Sequence, residues 1–173
     1  MIILEFSPMA ISKRITNYLD KQKIKFEVVP HRTVYTAYDL AQTLGEKLDK
    51  IAKTLLIKVE FPAVQKKKPG YYVLVIPASY QADFQKIKKA LKATKVQLAP
   101  EKVIKKLKLM PGAVVPFKAI HQLELLLDKS LVKMKDILIH AGSTTESLRM
   151  KVKDLHKLEK PQVGIFGKRF KKK

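Results

Sequence analysis

The sequence contains no cysteine among its 173 residues. Disulfides, thiolate nucleophiles and cysteine-based metal sites are therefore excluded, and a reducing compartment is compatible with the composition. Acidic residues are also scarce, with 15 Asp and Glu against 36 Lys and Arg, so the formal net charge is +21. So many positive charges repel one another, and binding an anionic partner offsets this repulsion. Nucleic acid is the commonest such partner. An anionic membrane surface, an acidic partner and a merely lysine-rich proteome are the alternatives.

Long apolar runs are missing as well. No run approaches the roughly 18 apolar residues of a membrane span. The opening stretch, Met1–Pro8, lacks both the apolar length and the basic start of a signal peptide. We therefore expect a cytoplasmic protein that does not contact membranes. Hydrophobic residues still make up 46% of the chain, which is enough for a packed core. We expect a single domain over residues 1–173, with a core from about 9 to 160 and a basic tail at 167–173.

The spacing of apolar residues predicts interleaved strands and helices. Residues 52–60 and 71–77 are apolar on both faces and are separated by a polar, lysine-rich turn, which predicts a buried antiparallel hairpin. Further strands are predicted at 25–30, 95–98, 123–127 and 137–139, with a turn at 128–131. Helices are predicted near 11–19 (begun by Ser7 and Pro8), 37–44, 83–91, 101–107 and 152–158. Because hairpins and crossovers are mixed, we predict a mixed α/β domain.

The usual signatures of enzymes are absent. The four histidines, at positions 31, 121, 140 and 156, have no metal-ligand spacing, and no carboxylate stands at ligand spacing from them. There is no glycine-rich phosphate loop, and Ser143 follows Gly142 without the second glycine of a nucleophile elbow. We therefore expect no metal site and no cofactor.

Two stretches are unusual. Lys53 stands in an apolar strand, where it either snorkels to the edge, which the composition favours, or faces a cleft that binds a phosphate or a carbonyl oxygen. Thr54 points to the opposite face. Gly112 and Pro116 form a Gly-x-x-x-Pro loop, in which glycine permits backbone angles that aim an N–H at a developing oxyanion. The alternative is a plain turn between a helix and a strand.

An ordered set of motifs resembles the YbaK/prolyl-tRNA-editing family over about Ile11 to Leu158. The set comprises His31, Thr36-Ala37, Ala41, Leu44-Gly45, Lys53-Thr54-Leu55, Tyr72–Pro77, Gly112–Phe117, Leu127–Leu131 and Ala141-Gly142-Ser143. That family comprises free-standing aminoacyl-tRNA deacylases and the insertion domain of bacterial prolyl-tRNA synthetases. The resemblance implies a central mixed, largely antiparallel sheet or partial barrel surrounded by helices.

The resemblance also implies roles for residues. Lys53 matches a functional lysine that engages the 3′ end of the substrate, and Gly112 matches a loop glycine whose N–H polarises the ester carbonyl. The implied substrate-binding residues are His31, Tyr35, Thr36, Thr54, Ala113, Pro116, Gly142 and Ser143. The family usually has a second glycine or serine inside Gly-x-x-x-Pro. Here the interior is Ala113-Val114-Val115, which leaves the accepted amino acid open.

The expected function is hydrolysis of the ester of a mischarged tRNA. An aminoacyl ester is already activated, so orientation and oxyanion polarisation suffice without a protein nucleophile. The resemblance implies that water, a tRNA hydroxyl or the substrate's own side chain attacks. Lysine-rich helix faces would hold the tRNA acceptor end through its phosphates, and an aminoacyl-tRNA synthetase is a further expected partner. The alternatives are a catalytically silent tRNA-binding or synthetase-associated module and a basic DNA-binding protein. The oligomeric state stays open.

Overall fold

The structure is a computed structural model that describes residues 11–112 and 114–171. Ser7 and Pro8, predicted to begin the first helix, lie outside the described residues, as does Ala113, a predicted substrate-binding residue. Of the described helices, none is long and apolar enough to cross a membrane.

A large mixed sheet forms the centre of the domain. The strands, in chain order, are β1 (Phe26–Pro30), β2 (Ile51–Glu60), β3 (Gly70–Pro77), β4 (Tyr80–Ala82), β5 (Lys95–Leu98), β6 (Glu124–Asp128), β7 (Asp136–His140), β8 (Glu146–Lys151), β9 (Gln162–Gly164) and β10 (Gly167–Arg169). The spatial order is β1-β8-β7-β2-β3-β6-β9, and β5 also pairs with β2. The β1/β8, β7/β8, β2/β3 and β2/β5 pairs are antiparallel, whereas β2/β7, β3/β6 and β6/β9 are parallel. The predicted mixed α/β fold and its central hairpin are confirmed.

Helices surround this sheet. They are α1 (Lys13–Lys21), α2 (Ala37–Leu44), α3 (Phe84–Leu91), α4 (Glu101–Lys106), α5 (Lys118–His121), α6 (Lys129–Val132) and α7 (Val152–Glu159). Local chemistry sets the ends of α2. Thr36 Oγ1 accepts the N–H of Asp39 at 3.0 Å, and Gly45 ends the helix with a left-handed φ of 65°, as the sequence predicts.

The two faces of the sheet are covered differently. One face carries the largest core cluster, which contains Leu56, Val75 and Ile139. The opposite face carries two smaller clusters. One packs around α2 with Ile51 and Leu138, and the other packs around α3 with Ile57 and Leu74. Because side chains alternate along a strand, Lys53 falls on this second face, between the two clusters.

Several short elements depart from the expectations, and strands β4 and β9 and helix α5 were not predicted. The turn predicted at residues 128–131 is wrong in part, because Lys129–Val132 is helical and Asp128 caps that helix by accepting the N–H of Ser130 at 2.9 Å. Strand β8 was not predicted, because Arg149 gives it a polar pattern. In the fold Arg149 pairs with Glu46 at 2.8 Å and with Asp136 at 3.2 Å. The predicted basic tail begins as a strand, since β10 pairs with β4.

Candidate functional site

A gap in strand pairing runs along the middle of β2. On one side β3 pairs with β2 from Ala52 to Val59. On the other side β7 pairs only with Ile51 and Ala52, and β5 pairs only with Ile57–Glu60. The Leu56 carbonyl oxygen still accepts the N–H of Ala99, just after β5, at 2.9 Å. In the described part of the chain, residues 53–55 therefore have no strand neighbour on that side. We call this gap in pairing, between residues 53–55 of β2 and the end of β7, the split.

Lys53 borders the split and is half-buried. Its Nζ donates a hydrogen bond to the carbonyl oxygen of Tyr80 and lies 5.1 Å from the centroid of the Phe170 ring. Burial lowers the pKa of Lys53 from its usual value, because a buried ammonium loses hydration. The preference for a lysine that snorkels into solvent, which rested on composition, is therefore wrong. The ammonium instead lies among protein groups on the face that carries α2 and α3.

His140 lies across the split from Lys53. Extending the β2/β7 register by one residue beyond Ala52 and Ile139 sets His140 beside Lys53 on the same face. His140 is only 4% exposed, and neither ring nitrogen has a hydrogen-bond partner among the described residues. Burial lowers the pKa of His140, and nearby His31 acts in the same direction. The Ser143 backbone approaches the ring and partly offsets them, but it does not meet hydrogen-bond geometry with either nitrogen. The ring is therefore neutral at neutral pH.

Buried polar atoms without partners are concentrated at the split. Among residues 11–112 and 114–171 they are Thr54 Oγ1 and the two ring nitrogens of His140. Thr54 points to the face opposite Lys53, so the unpartnered atoms border the split from both faces. Since nearly all buried polar groups in proteins are hydrogen-bonded, this concentration indicates a place where a polar ligand fits.

His31 joins the same end of the sheet. Its Nδ1 is 2.8 Å from the carbonyl oxygen of Arg32, and its Nε2 is 2.9 Å from Ser147 Oγ. Nδ1 must carry the proton to bond a carbonyl, so in the neutral ring Nε2 accepts from the serine hydroxyl. Ser147 is the register partner of His140. A row of neighbouring residues thus crosses this end of the sheet. It runs from His31 through Ser147 and His140 to Lys53.

Gly112 adopts a conformation that favours glycine. Its φ is 79°, and a Cβ at this position would approach the Tyr35 carbonyl oxygen to 3.2 Å. No described residue accepts a hydrogen bond from the Gly112 N–H. The residues after it turn inward, because Val114 and Val115 are 2% and 3% exposed and belong to the core. The valines that distinguish this loop from the family pattern therefore pack into the core.

His121 holds the far end of this loop. Its Nε2 is 3.1 Å from the Val115 carbonyl oxygen, and its Nδ1 accepts the N–H of Leu123 at 3.0 Å. This fixes the proton on Nε2, and burial lowers the pKa of His121, so the ring stays neutral. Glu159 adds a second anchor by accepting the N–H of Lys118 at 2.9 Å. The far end of the loop that carries Gly112 is therefore fixed by one buried and two part-buried hydrogen bonds.

The turn at residues 141–145 links the split to the Gly112 loop. Gly142 has a φ of 73°. The carbonyl oxygens of Thr144 and Thr145 accept the N–H groups of Val34 and His31, each at 2.9 Å. This pairing holds the segment before α2 against the turn, and the Tyr35 carbonyl oxygen of that segment lies 3.2 Å from where a Cβ of Gly112 would stand. Lys53 and His140 are neighbours by the extended strand register, the turn follows His140 along the chain, and its hydrogen bonds hold the segment of Tyr35 near Gly112.

The predicted site residues divide into three groups. Lys53, Thr54 and Gly142 border the split, while His31, Tyr35 and Gly112 reach it through the contacts described above. The hydroxyls of Thr36 and Ser143 bond backbone N–H groups of their own turns, since Ser143 Oγ accepts from Thr145 and Glu146 at 3.1 Å. Pro116 is buried behind the loop. The substrate contacts of all these residues stay predictions.

His140 and Ser147 were not predicted as site residues. The only sequence signal for His140 was its place just before Ala141-Gly142.

Two other features lie apart from this site. An open cavity of about 340 Å³ lies between α6, β8 and α7, and none of the predicted site residues line it. Groups of His, Asp or Glu able to hold a metal ion do not occur among the described residues.

Comparisons with known proteins agree with one another. The model of a family described as the aminoacyl-tRNA editing domain matches residues 31–158. The chain is 27% identical over 153 residues to the prolyl-tRNA editing protein ProX of Acetoanaerobium sticklandii, covering 86% of this chain and 90% of that protein. It is 26% identical over 121 residues to a proline–tRNA ligase of Thermosipho melanesiensis, covering 69% of this chain and 20% of the ligase.

Solved structures show the same fold. A crystal structure of a hypothetical protein superposes with a TM-score of 0.78 at 18% identity, covering 90% of this chain and 100% of that one. A candidate trans-editing enzyme for prolyl-tRNA synthetase superposes with a TM-score of 0.74 at 22% identity, covering 92% and 99% of the two chains.

Proposed function

The chain belongs to the aminoacyl-tRNA editing domain family, and we propose that it hydrolyses the ester bond between a tRNA and a wrong amino acid. The observation that carries this proposal is the set of unpartnered buried polar atoms of Thr54 and His140 beside the half-buried ammonium of Lys53. An aminoacyl ester offers matching groups, namely a carbonyl, an amino group, ribose hydroxyls and a phosphate. These groups would enter at the split, where β2 has no strand partner beside Lys53.

The chemistry needs no protein nucleophile. Water adds to the ester carbonyl carbon, the carbonyl oxygen becomes an oxyanion, and the C–O bond to the ribose then breaks as the ribose oxygen takes a proton. The products are the free amino acid and the tRNA. The Gly112 N–H, which bonds no described residue, supplies a donor to the oxyanion. Lys53 binds the anionic 3′ end and thereby orients the ester.

His140 orients the aminoacyl group in this proposal. A neutral imidazole offers one N–H donor and one acceptor, and the lowered pKa of His140 keeps the ring in that form. Thr54 adds a hydroxyl from the other face of the sheet. These groups replace part of the hydration of the amino group and the ribose hydroxyls, which makes binding depend on the whole aminoacyl-adenosine end.

The names of two relatives indicate the tRNA to test first. One is a prolyl-tRNA editing protein, and the other is a proline–tRNA ligase of which this chain matches 20%. We therefore propose tRNA for proline, carrying a wrong amino acid, as the substrate. A prolyl-tRNA synthetase is the corresponding proposed partner, because it produces the mischarged tRNA.

The surface charge suits tRNA. The net charge is +21, and exposed lysines recur on α3, on α4 and just after them; they are Lys86, Lys89, Lys92, Lys102, Lys105, Lys106 and Lys108. Phosphate contacts release counterions, so the affinity for tRNA should fall steeply with salt, with a log–log slope of several units. A flat salt dependence would show that these lysines do not hold the RNA.

A panel of mischarged tRNAs tests the proposal. The protein is incubated with proline tRNA that carries alanine, cysteine, serine or proline, and loss of the radiolabelled ester is followed with time. We expect faster ester loss for at least one wrong amino acid than for proline. Tight binding of the whole panel without ester loss would instead support the catalytically silent tRNA-binding module.

A further inference from the structure

The C-terminal segment of residues 166–171, which we call the strap, passes beside Lys53. The strap lies C-terminal to the part of the chain that the family model matches. The ring of Phe170 lies 5.1 Å from Lys53 Nζ, with the ammonium over the ring. Phe170 is nevertheless 54% exposed. One side of the ring therefore faces the split, and much of its surface faces solvent.

The strap is fixed by two buried hydrogen bonds and one exposed ion pair. The Asp128 carboxylate, itself 2% exposed, accepts the N–H groups of Phe166 at 2.8 Å and Gly167 at 2.9 Å. Further along, Arg169 pairs with Asp49 at 3.1 Å. An exposed aromatic ring at the end of a segment held in this way loses little conformational entropy when it binds a ligand.

The backbone around Phe170 is also held. Strand β10 pairs with β4, and the Phe170 N–H donates to the Ser79 carbonyl oxygen at 3.3 Å. The Tyr80 carbonyl on β4 accepts the hydrogen bond from Lys53. The same two short strands thus position both the ring and the ammonium, which sets their separation.

The surroundings of the ring carry positive charge. Lys168, Arg169 and Lys171 are exposed on the strap, and Lys53 lies on the side toward the split. An exposed aromatic ring among lysines and arginines is the usual platform for an unpaired nucleobase, because the base stacks on the ring while the cations bind its phosphates. A protein partner would instead use a larger apolar patch, whereas here the ring is the one large apolar side chain exposed on residues 166–171.

We propose that Phe170 is a stacking platform for the 3′-terminal adenine of tRNA. The proposal rests on the proposed function, since it takes the aminoacyl-tRNA end as the ligand. The terminal base stacks on the solvent side of the ring, its phosphate binds Lys53 and the strap cations, and the attached ester enters the split. Phe170 thereby binds the 3′ end beside the split without touching the reacting atoms, so its loss weakens substrate binding more than it slows the reaction.

The test compares RNA microhelices that end in CCA with microhelices that end in CC. Binding is measured by fluorescence anisotropy for the wild type, Phe170→Ala and Phe170→Trp. The matched control is Ile165→Ala, an equally exposed apolar residue just before the strap. Thermal unfolding of every variant checks that the fold is retained.

Wild type should bind the CCA end about tenfold more tightly than the CC end. Phe170→Ala should remove this preference and leave the affinity for the CC end unchanged, whereas Phe170→Trp and Ile165→Ala should keep it. With aminoacyl-tRNA, Phe170→Ala should raise KM and leave kcat within a few-fold. The proposal is overturned if the wild type shows no preference for the CCA end, or if Phe170→Ala keeps that preference. Tighter binding by Phe170→Ala also overturns it, because the strap would then shield Lys53.

Failure of this proposal differs from failure of the proposed function. If no mischarged tRNA is hydrolysed but the preference for CCA depends on Phe170, the hydrolase assignment fails and the stacking platform stands. If hydrolysis occurs with a Phe170→Ala variant that matches the wild type in KM and in CCA preference, the hydrolase assignment stands and the platform fails.

Discussion

His121 and His140 are both buried, and burial lowers the pKa of both. They differ in their partners. Each ring nitrogen of His121 has a backbone partner, from Val115 and Leu123, whereas neither nitrogen of His140 has one among the described residues. A buried and fully bonded imidazole contributes stability by fixing a loop. A buried imidazole without partners lowers stability. A protein retains such a group where it binds a ligand.

Within this comparison, the largest expected effect is on activity at the unpartnered histidine. His140→Leu removes the polar nitrogens and keeps an apolar side chain in the buried position. We expect hydrolysis of mischarged tRNA to fall by about 100-fold, on the scale of losing one aligned polar group in a site. The free energy of unfolding should stay the same or rise by about 1 kcal/mol, because an unpaired buried polar group is lost. Kinetics and urea unfolding measure the two quantities.

A loss of stability greater than about 2 kcal/mol in His140→Leu would contradict the comparison, since it would mean that His140 makes structural hydrogen bonds.

The bonded histidine should show the reverse pattern. His121→Ala leaves the Val115 carbonyl and the Leu123 N–H without partners, so we expect a loss of about 3 kcal/mol in the free energy of unfolding. Chemical denaturation measures it, and the exposed His156→Ala on α7 is the matched control, with an expected change within about 0.5 kcal/mol. Equal effects of the two substitutions would remove the assigned role of His121 as a loop anchor.

The glycines near the two histidines sharpen the comparison. Gly112 lies in the loop held by His121, and Gly142 lies in the turn that follows His140; both have positive φ. A Cβ added at Gly142 meets no atom within 4 Å. Gly142→Ala should therefore lower the free energy of unfolding by about 1 kcal/mol, which is the strain of an alanine in the left-handed conformation. Gly112→Ala also approaches the Tyr35 carbonyl, so it should cost more and move the loop. Parallel unfolding and kinetic measurements on both variants check this order, and equal costs would contradict it.

The smallest expected effect is on the pH dependence of stability. The folded-state pKa of His140 lies below its ordinary value of 6.5, so the unfolded chain takes up a proton first as the pH falls. Stability should therefore decline as the pH falls below about 6.5 and level off below the folded-state pKa. Urea unfolding between about pH 5 and pH 8 measures this decline. It should be shallower in His140→Leu than in the wild type, and identical slopes would contradict the assignment.

The fold was largely predictable because its core strands are continuous apolar runs. The hairpin of β2 and β3 follows from two such runs and the lysine-rich turn between them. Strand β8 escaped prediction because Arg149 breaks its apolar pattern, and its ion pairs with Glu46 and Asp136 come from distant segments. Strand β10 is short and basic, and only its pairing with β4 shows it to be a strand.

The candidate site was predictable only in part. Lys53, Gly112 and Gly142 were singled out by their order along the chain. His140 was not, because its role depends on the parallel register of β2 and β7 and on the point where their pairing stops. The paired residues of β2 and β7 are more than eighty positions apart in the chain. No local sequence pattern therefore predicts where their pairing stops. Burial of Lys53 likewise depends on Tyr80 and Phe170, which lie far from it in the chain.

One measurement tests the central claim most directly, namely hydrolysis of a mischarged tRNA by Lys53→Ala. The matched control is Lys58→Ala on the same strand, where the lysine pairs with Glu60 at 3.7 Å on the opposite face. We predict that Lys53→Ala loses hydrolysis by at least about 100-fold while unfolding at the wild-type temperature, and that Lys58→Ala stays within about twofold of the wild type. Wild-type hydrolysis by a folded Lys53→Ala variant would contradict the assignment of the split as the site of the reaction.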